Sequence, residues 1–350
     1  MIQEPMKLAI LYLGSRGAGI DLTKLICSEF NKKNIPATLF SKENHTTNPS
    51  DNFVNIVMPK SRFLAFMGFR KNAAKKRIIQ ESKKRGINTL IIPMAHPWDL
   101  SFQKTLRAMG IRIIRIVHDP EKHPGDIWPR DKDILKLCNV DGILTLSHYT
   151  AGKLAGTNAR VIASCVPNLN QLANTQEQNF LGIFGYDLII GRHKKYQNTK
   201  NVINWWIKLP TPVKQNRKLL IAGEINKKTS AQYKDFKDVI FYEKWLSVKE
   251  FNSILENADR VLCLYVEASQ SGIITAAQNK KIPVLASNVG GLSEQIELFG
   301  GGLIADVHDK NDWQEKYHEI NLGKISRYKQ KNMTQMFLKD LFTLIKSVRI

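Results

Sequence analysis

Residues 260–294 read RVLCLYVEASQSGIITAAQNKKIPVLASNVGGLSE, and this stretch decides the fold. Residues 260–266 are almost wholly apolar, which is typical of a parallel strand that is covered on both faces. A helix-like segment follows the small residues of 269–272, and a second apolar run, 283–286, then leads into a Gly-Gly turn. Strand, helix and strand in this order predict one unit of a doubly wound parallel α/β sheet.

A carboxylate and three small residues follow the first of these strands: Glu267, Ser269, Ser271 and Gly272. Ligands bind beyond the carboxyl ends of the strands in open α/β sheets, so we expect these residues to face a ligand. The free N–H groups at the start of a helix suit a phosphate, and small residues let it approach closely. A carboxylate for hydroxyls beside amides for phosphates predicts a nucleotide-sugar site.

The same stretch resembles the donor-binding signature of family 4 of the retaining glycosyltransferases, which have the GT-B fold. Glu267 matches the first Glu of that signature, and Ser271-Gly272 matches its phosphate-contacting turn. Pro283-Val284 and Gly290-Gly291-Leu292 match the downstream part. Thr275 stands where the family carries a second Glu, which binds the ribose hydroxyls there. The resemblance implies a donor site in which Glu267 supplies the carboxylate that binds the sugar, whereas Thr275 replaces the Glu that binds the ribose.

The size of the chain predicts two domains, because 350 residues exceed the roughly 250–300 residues over which a single core grows. A hydrophobic content of 43% suits sizeable cores. No apolar run approaches the roughly 20 residues that a membrane span needs, and the first residues lack a signal-peptide pattern. The cysteines have no paired spacing, which argues against zinc or disulfides and for a reducing, cytoplasmic setting: Cys27, Cys138, Cys165 and Cys263.

The charge of the chain implies an anionic partner, since 52 Lys and Arg against 31 Asp and Glu give a formal net charge of +21. Residues 60–85 combine many of these bases with apolar side chains, namely Phe63, Leu64, Phe66, Met67 and Phe69. This combination suits a segment that lies on anionic lipid, and we expect a peripheral protein on the inner face of the cytoplasmic membrane. The alternative is a solvated helix face whose Phe residues pack in the core.

Strand-like runs alternate with helical segments on both sides of a polar stretch that begins at Pro167. The first strand of the second half lies at 181–184 or at 188–190, and the last that we identify is 284–286. Two doubly wound halves that face a cleft constitute the GT-B architecture, which gives domains at 1–170 and 171–332. The apolar residues after 332 have helical spacing. The resemblance implies that this helix, 333–350, returns to the N-terminal domain.

A glycine-rich loop, Gly14-Ser-Arg-Gly-Ala-Gly19, follows the first strand. Its glycines permit a tight turn and leave backbone N–H groups open to an anion. The spacing does not fit a dinucleotide motif. The resemblance implies that Gly14 and Gly17 reach the donor diphosphate or the acceptor, and a plain tight turn is the alternative.

The strand at 111–117 is followed by His118-Asp119-Pro-Glu-Lys-His123-Pro-Gly-Asp126. The resemblance gives His118 the role of a hydrogen-bond partner of the donor sugar, and the pattern is similar to that of enzymes of bacterial polysaccharide assembly. His123 and Asp126 are further candidates, as is His96 at another strand end, and a structural His is the alternative. The prolines indicate a loop rather than a ligand-bearing helix, and the family needs no metal or cofactor, so we expect neither.

The run Gly191-Arg192-His-Lys-Lys-Tyr-Gln197-Asn198 resembles the family motif whose Arg and Lys hold the leaving diphosphate. Arg192 matches the Arg, whose planar fork suits paired phosphate oxygens. Gln197 and Asn198 stand at the Lys and Gly positions of that motif. Lys194, Lys195 or Lys200 could supply the missing charge, and ordinary surface bases are the alternative. Ala222-Gly223 matches the family's next motif, which places Gly223 at the donor site.

Taken together, these motifs predict a metal-independent, retaining glycosyltransferase that transfers a sugar from a nucleotide diphosphate to a lipid-linked or cell-surface glycan acceptor. Glu267 and His118 would hold the sugar. The loss of Lys at Gln197 and of Glu at Thr275 favours one alternative, a catalytically degenerate protein that supports a partner enzyme. A nucleic-acid-binding protein is a second alternative that rests on charge alone, since no binding module accompanies it.

Overall fold

The computed structural model describes residues 6–14, 17–42, 52–59, 68, 70–96, 98–122, 130–137, 139–169 and 181–348. The chain divides into two compact units. Unit 1 comprises residues 1–165 together with 335–350, and unit 2 comprises residues 166–334. The last helix of the chain therefore belongs chiefly to unit 1.

Unit 1 contains a seven-stranded sheet in the order β3-β2-β1-β4-β5-β6-β7, in which neighbouring strands are parallel. Five of its helices are α1 (Ala18–Lys32), α2 (Lys71–Arg85), α3 (Asp99–Ala108), α4 (Asp131–Leu137) and α5 (His148–Lys153). The strands are β1 (Leu8–Tyr12), β2 (Ala37–Ser41), β3 (Phe53–Asn55), β4 (Thr89–Ile92), β5 (Arg112–Val117), β6 (Gly142–Thr145) and β7 (Arg160–Ala163).

Unit 2 contains a six-stranded parallel sheet in the order β10-β9-β8-β11-β12-β13. Its strands are β8 (Tyr186–Gly191), β9 (Leu219–Gly223), β10 (Val239–Glu243), β11 (Ala258–Cys263), β12 (Val284–Ser287) and β13 (Gly302–Ala305). Its helices are α6 (Thr199–Trp206), α7 (Thr211–Lys214), α8 (Lys227–Ala231), α9 (Val248–Glu256), α10 (Gly272–Asn279), α11 (Leu292–Phe299) and α12 (Lys310–Asn321).

Helix α13 (Met333–Ser347) packs on unit 1. The rings of Phe342 and Phe30 lie 5.6 Å apart, and Ser164 Oγ donates a hydrogen bond to Asp340 Oδ2 at 2.8 Å. A Cβ on Gly142 in β6 would lie 3.0 Å from Leu344, so the glycine lets the helix come close to the sheet.

The strands of unit 2 are covered on both faces, as their continuous apolar sequences predict. Leu188 and Ile190 of β8 belong to one core cluster, and Ile189 between them belongs to the other. This follows from the period of two in a strand, which sends successive side chains to opposite faces.

Two arginines inside strands are buried and paired with carboxylates. Arg115 of β5 bonds Asp131 Oδ1 at 2.7 Å and Asp99 Oδ2 at 3.1 Å, which links the strand to α3 and α4. Arg260 of β11 lies 2.8 Å from Asp187 Oδ1 of β8. Removal of one partner would leave the other charged and buried, so these groups fix the helices and strands that carry them.

The predicted two-domain, doubly wound α/β architecture is confirmed, although the sequence reading differs from the structure at two strands. Strand β13 was not predicted, and the predicted end of β11 at Val266 is wrong, because this strand ends at Cys263. Most of the polar stretch that begins at Pro167, where we expect the interdomain linker, lies outside the described residues. Among the described helices, none is both long and apolar enough to cross a membrane. A cleft between the domains stays a prediction.

Candidate functional site

Helix α10 begins directly after Ser271, whose Oγ caps it by accepting a hydrogen bond from Ile274 N at 3.4 Å. The N–H group of Ser271 itself donates to Gln295 Oε1 at 2.7 Å. The N–H groups of Gly272 and Ile273 have no acceptor among the described residues. At this turn, Gly272 and Ile273 rather than Ser271 therefore have backbone donors available to an anion.

Thr275 lies one turn into α10 and is 1% exposed. Its Oγ1 donates to Ser271 O at 3.5 Å and accepts a hydrogen bond from Gln295 Nε2 at 3.0 Å. The Thr at the family's ribose-binding position is thus part of the packing between α10 and α11. A contact between Thr275 and a bound nucleotide stays a prediction.

Glu267 is partly exposed and lies beyond the end of β11. The chain turns after Cys263, where the N–H group of Tyr265 donates to Cys263 O at 2.9 Å. Ser287 at the end of β12 holds the turn, because its Oγ donates to Tyr265 O at 2.6 Å. The turn places Glu267 beside the carboxyl ends of two strands, where open sheets bind their ligands.

Gly191 and Gly223 end the neighbouring strands β8 and β9, with φ of 137° and 128°. A Cβ on Gly223 would lie 1.8 Å from Gly191 O, so the two backbones approach too closely for any side chain. Packing alone accounts for Gly223. Its predicted contact with the donor is not tested by this geometry.

Arg192 is exposed, and its guanidinium makes no hydrogen bond or ion pair with the residues that the structure describes. The next residue, His193, has φ of 47°, a left-handed conformation that is held by two ring contacts. Its Nε2 lies 2.9 Å from Ala222 O, and its Nδ1 lies 3.1 Å from Thr199 Oγ1. Burial lowers the pKa of His193, so the neutral ring donates to Ala222 O and accepts from Thr199. His193 thereby sets the path of the chain next to Arg192.

Gln197, at the family's Lys position, is buried at 6% exposure. Its Oε1 accepts a hydrogen bond from Lys194 N at 3.0 Å, and its Nε2 donates to Tyr265 Oη at 3.5 Å. Gln197 therefore closes its own turn and does not face solvent. Lys194, Lys195 and Lys200 are exposed, so the nearby positive charge lies on these side chains.

The Arg192 loop, residues 191–198, contacts the segment that carries Glu267. Val266 N donates to Tyr196 O at 2.9 Å, and Asn198 Nδ2 donates to Leu264 O at 3.1 Å. A Cβ on Gly191 would lie 3.2 Å from Ile273 Cδ1. The structure thus brings Gly191, the Glu267 segment and the start of α10 together, although they are far apart in sequence.

In unit 1, Gly14 and Gly19 lie against the buried side chain of Tyr12. A Cβ on Gly14 would lie 2.4 Å from Tyr12 Oη, and one on Gly19 would lie 2.6 Å from the ring. Gly17, with φ of 83°, precedes α1 and has open space around its Cα. The packing against Tyr12 explains Gly14, and the positive φ explains Gly17. Their predicted contacts with the donor or acceptor remain untested.

His118 follows β5 directly and is partly exposed. Its Nε2 lies 3.1 Å from Pro93 O, and a carbonyl only accepts, so this nitrogen carries the proton. Burial lowers the pKa of His118, against the opposing effects of Asp119 and Asp131, which favours the neutral ring. Nδ1 is then an acceptor, and an acceptor suits a sugar hydroxyl. Direct contact with the donor stays a prediction.

His96 has a structural role. Its Nδ1 accepts a hydrogen bond from Trp98 N at 3.2 Å, and its ring lies edge-on to that of Trp98, with 5.5 Å between centroids. Burial lowers the pKa of His96 to about 4, so the ring is neutral near pH 7. His123 and Asp126 lie outside the described residues. Among the residues that the structure does describe, no group of His, Cys, Asp or Glu could hold a metal ion.

The sequence reading missed Gln295, His193 and Tyr265, whose hydrogen bonds support the start of α10 and the Arg192 loop. A signal exists for Gln295, because it stands among apolar residues at helical spacing, between Leu292 and Phe299. A polar residue on such a face requires buried partners. Nothing in the sequence indicates which partners those are.

Two kinds of comparison bear on this geometry. A protein-family model described as Glycosyl transferases group 1 matches residues 185–335, which is most of unit 2 and contains Arg192, Glu267 and Gly272. By sequence, no curated protein matches the chain.

Solved structures resemble the whole chain at low identity. Sucrose-phosphate synthase from Thermosynechococcus elongatus is 11% identical with a TM-score of 0.68, over 98% of this chain and 96% of that one. A glycosyltransferase from Rickettsia africae is 14% identical with a TM-score of 0.65, over 99% and 96%. Anabaena Alr3699/HepE in complex with UDP-glucose is 12% identical with a TM-score of 0.68, over 98% of each chain. These likenesses show the GT-B fold.

Proposed function

We propose that the protein is a glycosyltransferase whose donor is a nucleotide-diphosphate sugar. The observation that carries the proposal is that Gly191, which precedes exposed Arg192, lies close to Ile273 at the start of α10. The N–H groups of Gly272 and Ile273 have no acceptor among the described residues, and the segment that leads to Glu267 bonds the same loop. These groups lie within the part of the chain that matches the glycosyltransferase family model. HepE, one of the similar structures, is described in complex with UDP-glucose, which supports a nucleotide sugar as the ligand to test first.

The reaction would break the bond between the anomeric carbon and the diphosphate oxygen and form a bond from that carbon to an acceptor oxygen. Negative charge grows on the departing diphosphate, while the sugar becomes oxocarbenium-like. Arg192 and the two amides would stabilise the diphosphate by preorganised electrostatics. The departing phosphate would take the acceptor proton, so no side chain is assigned as general base, and the anomeric configuration would be retained.

Glu267 would hold the sugar hydroxyls, since a carboxylate accepts from two neighbouring O–H groups. His118 would accept a sugar hydroxyl at Nδ1, because its Nε2 already donates to Pro93 O. Because Gln197 is buried and uncharged, the second positive charge that binds the diphosphate, in addition to Arg192, would come from an exposed neighbour. The candidates are Lys194, Lys195 and Lys200. No metal ion is needed for this arrangement.

The proposed acceptor is a lipid-linked or cell-surface glycan, and the proposed location is the inner face of the cytoplasmic membrane. Helix α2 supports the membrane location, because it carries seven Lys and Arg residues and one acidic residue, Glu81. That acid is engaged by Arg77 at 3.2 Å and Arg85 at 3.1 Å. Lys76, Lys83 and Lys84 remain exposed and suit anionic lipid. The accompanying Phe cluster, residues 63–69, lies almost entirely outside the described residues.

The test is a screen of nucleotide sugars with the purified protein, read as the release of nucleotide diphosphate and as binding by calorimetry. We expect binding of one donor class and release that depends on added acceptor. Glu267→Gln should abolish transfer while the protein remains folded, and full activity of this variant would refute the site. No binding of any donor at millimolar concentration would instead favour the degenerate, partner-supporting protein. Interconversion of the sugar without transfer would favour an epimerase, the activity that describes a similar structure from Methanocaldococcus jannaschii.

A further inference from the structure

Gln295 on α11 is 3% exposed, and its amide reaches across to the start of α10. Its Oε1 accepts from Ser271 N at 2.7 Å, and its Nε2 donates to Ser271 O at 3.0 Å and to Thr275 Oγ1 at 3.0 Å. One side chain thus satisfies both backbone groups of the residue that caps α10. Buried backbone groups require such partners, so this contact fixes the orientation of Ser271.

The orientation of Ser271 governs the two N–H groups that follow it, those of Gly272 and Ile273. Peptide planes are rigid, so a rotation at Ser271 would redirect the amide that joins it to Gly272. The side chain of Ser271 also neighbours the buried side chains of Cys263 and Tyr265, and Tyr265 in turn accepts a hydrogen bond from Gln197 of the Arg192 loop. The cap is therefore connected to both proposed phosphate-binding elements.

We infer that Gln295 is a positioning residue that aims the Gly272 and Ile273 amides at the diphosphate of the ligand. The inference rests on the proposed function, because it requires a diphosphate at this turn. Gln295 itself does not touch the ligand. It acts by taking up the N–H and C=O groups of Ser271.

The variant Gln295→Glu tests this role, because its carboxyl group can exist in two states. A protonated carboxyl accepts from Ser271 N and donates to Ser271 O, as the amide does. An ionised carboxylate accepts only, so it faces Ser271 O with a second acceptor. Burial raises the pKa of a Glu carboxyl above about 4.3. The introduced carboxyl group therefore ionises within the pH range in which the protein is folded.

The groups that face the Gln295 amide from α10, Ser271 and Thr275, are uncharged. The titratable side chains that neighbour Ser271 are those of Cys263 and Tyr265. Burial raises the pKa of Cys263 to about 12 and that of Tyr265 well above its usual range, so both stay protonated during the test. On α11 itself, the neighbouring acid is Glu294, which is partly exposed. The wild type, measured at each pH, is the reference for every effect of pH that does not arise at position 295.

Gln278→Glu is the matched control. Gln278 is 4% exposed and joins the same two helices, because its Nε2 donates to Gln295 O at 3.0 Å and to Gly300 O at 2.8 Å. The change places the same carboxyl group in a similarly buried position. It leaves both hydrogen bonds to Ser271 in place.

The experiment measures the dissociation constants of pyrophosphate and UDP for the three full-length proteins, with circular dichroism to establish that each is folded. At about pH 8 we expect Gln295→Glu to bind both ligands about tenfold more weakly than wild type, and at about pH 5 within about threefold. Gln278→Glu should match wild type at both values. Equal binding by Gln295→Glu and wild type at both pH values would overturn the inference alone, as would equal losses in both variants.

Absence of binding by the wild type would overturn the proposed function, and this inference with it. If Gln295→Glu does not fold at the higher pH, Thr275→Val replaces it. That variant keeps the shape of the side chain but removes the hydroxyl that Gln295 Nε2 bonds. It should bind pyrophosphate about two- to threefold more weakly, and wild-type binding would overturn the inference.

Discussion

Gln197 donates a hydrogen bond from its Nε2 to the hydroxyl of Tyr265 at 3.5 Å, inside unit 2. The family that the sequence resembles has a phosphate-binding Lys at this position, whereas the side chain here is buried and accepts a hydrogen bond from Lys194 N. It supports the loop that carries Arg192 and joins it to the turn between β11 and Glu267. The proposed diphosphate site therefore depends on Arg192, on backbone amides and on an exposed neighbouring Lys rather than on a Lys at position 197.

Arg192→Ala should weaken the binding of UDP about 10- to 100-fold, because it removes charge-assisted hydrogen bonds to the diphosphate. Arg192→Lys should recover part of the loss, since Lys keeps the charge but lacks the planar fork. Calorimetry with UDP measures both. Wild-type affinity in Arg192→Ala would remove Arg192 from the site, and Lys234→Ala, which removes an exposed base elsewhere on unit 2, serves as the surface-charge control.

Gln197→Lys, which restores the family residue, should lower the free energy of unfolding by about 1–3 kcal/mol. The position is 6% exposed, and the change removes the acceptor of Lys194 N. We expect no gain in UDP affinity. Urea unfolding and calorimetry on the same samples check both statements. Tighter binding at unchanged stability would show that the Lys side chain reaches the ligand after all.

Gly223→Ala and Gly272→Ala should separate folding from binding. A Cβ at Gly223 would lie 1.8 Å from Gly191 O, whereas one at Gly272 would meet nothing within 4 Å. We expect Gly223→Ala to lose more than about 3 kcal/mol of stability, and Gly272→Ala to stay folded or gain up to about 1 kcal/mol. The added methyl at Gly272 should still weaken UDP binding, because it stands beside the amide. Thermal unfolding and calorimetry test the pair, and unchanged binding by folded Gly272→Ala would count against the turn as a phosphate site.

Asp99→Asn should become more stable relative to wild type as the pH rises from about 4 to about 7. Burial, opposed by Arg115, raises the pKa of Asp99 to about 6, against about 3.9 in an unfolded chain. The folded state then holds a proton that the unfolded state has released, so the stability from this group is lost as the pH rises through about 6. His96 has a lowered pKa and an opposite slope, so the difference between Asp99→Asn and wild type is the informative quantity. Urea unfolding across this range measures it, and a flat difference would contradict the prediction.

Replacement of Lys76, Lys83 and Lys84 on α2 by Gln should weaken binding to anionic vesicles about 100-fold, at about 1 kcal/mol for each base. Lys227, Lys228 and Lys234 are exposed on unit 2, and their replacement is the control for net charge. Flotation with phosphatidylglycerol vesicles at physiological salt compares the two triple variants. Equal losses would mean that overall charge, rather than α2, determines attachment. A shift assay with nucleic acid under the same salt tests the other class of anion.

The sequence was sufficient for the fold class, because continuous apolar runs and helical spacing are properties of local sequence. They gave the parallel strands of both sheets apart from β13, whose Gly302–Ala305 run is too short and too close to other glycines to stand out. The motif residues Arg192, Glu267 and Gly272 were also found from sequence, since each follows the carboxyl end of a strand. The end of β11 was misjudged because Leu264, Tyr265 and Val266 continue the apolar run after the chain has turned.

Only the tertiary structure decided what the altered motif positions do. Gln197 and Thr275 read as losses when they are compared with a motif, yet both are buried and hydrogen-bonded within unit 2. The partner of Thr275 is Gln295, 20 residues away in sequence, and that of Gln197 is Tyr265, 68 residues away. A buried polar group is stable only with a partner, and which partner it finds depends on how separate strands and helices pack. Local sequence therefore predicted where the candidate site lies, whereas packing determined which of its described polar groups already have partners within unit 2.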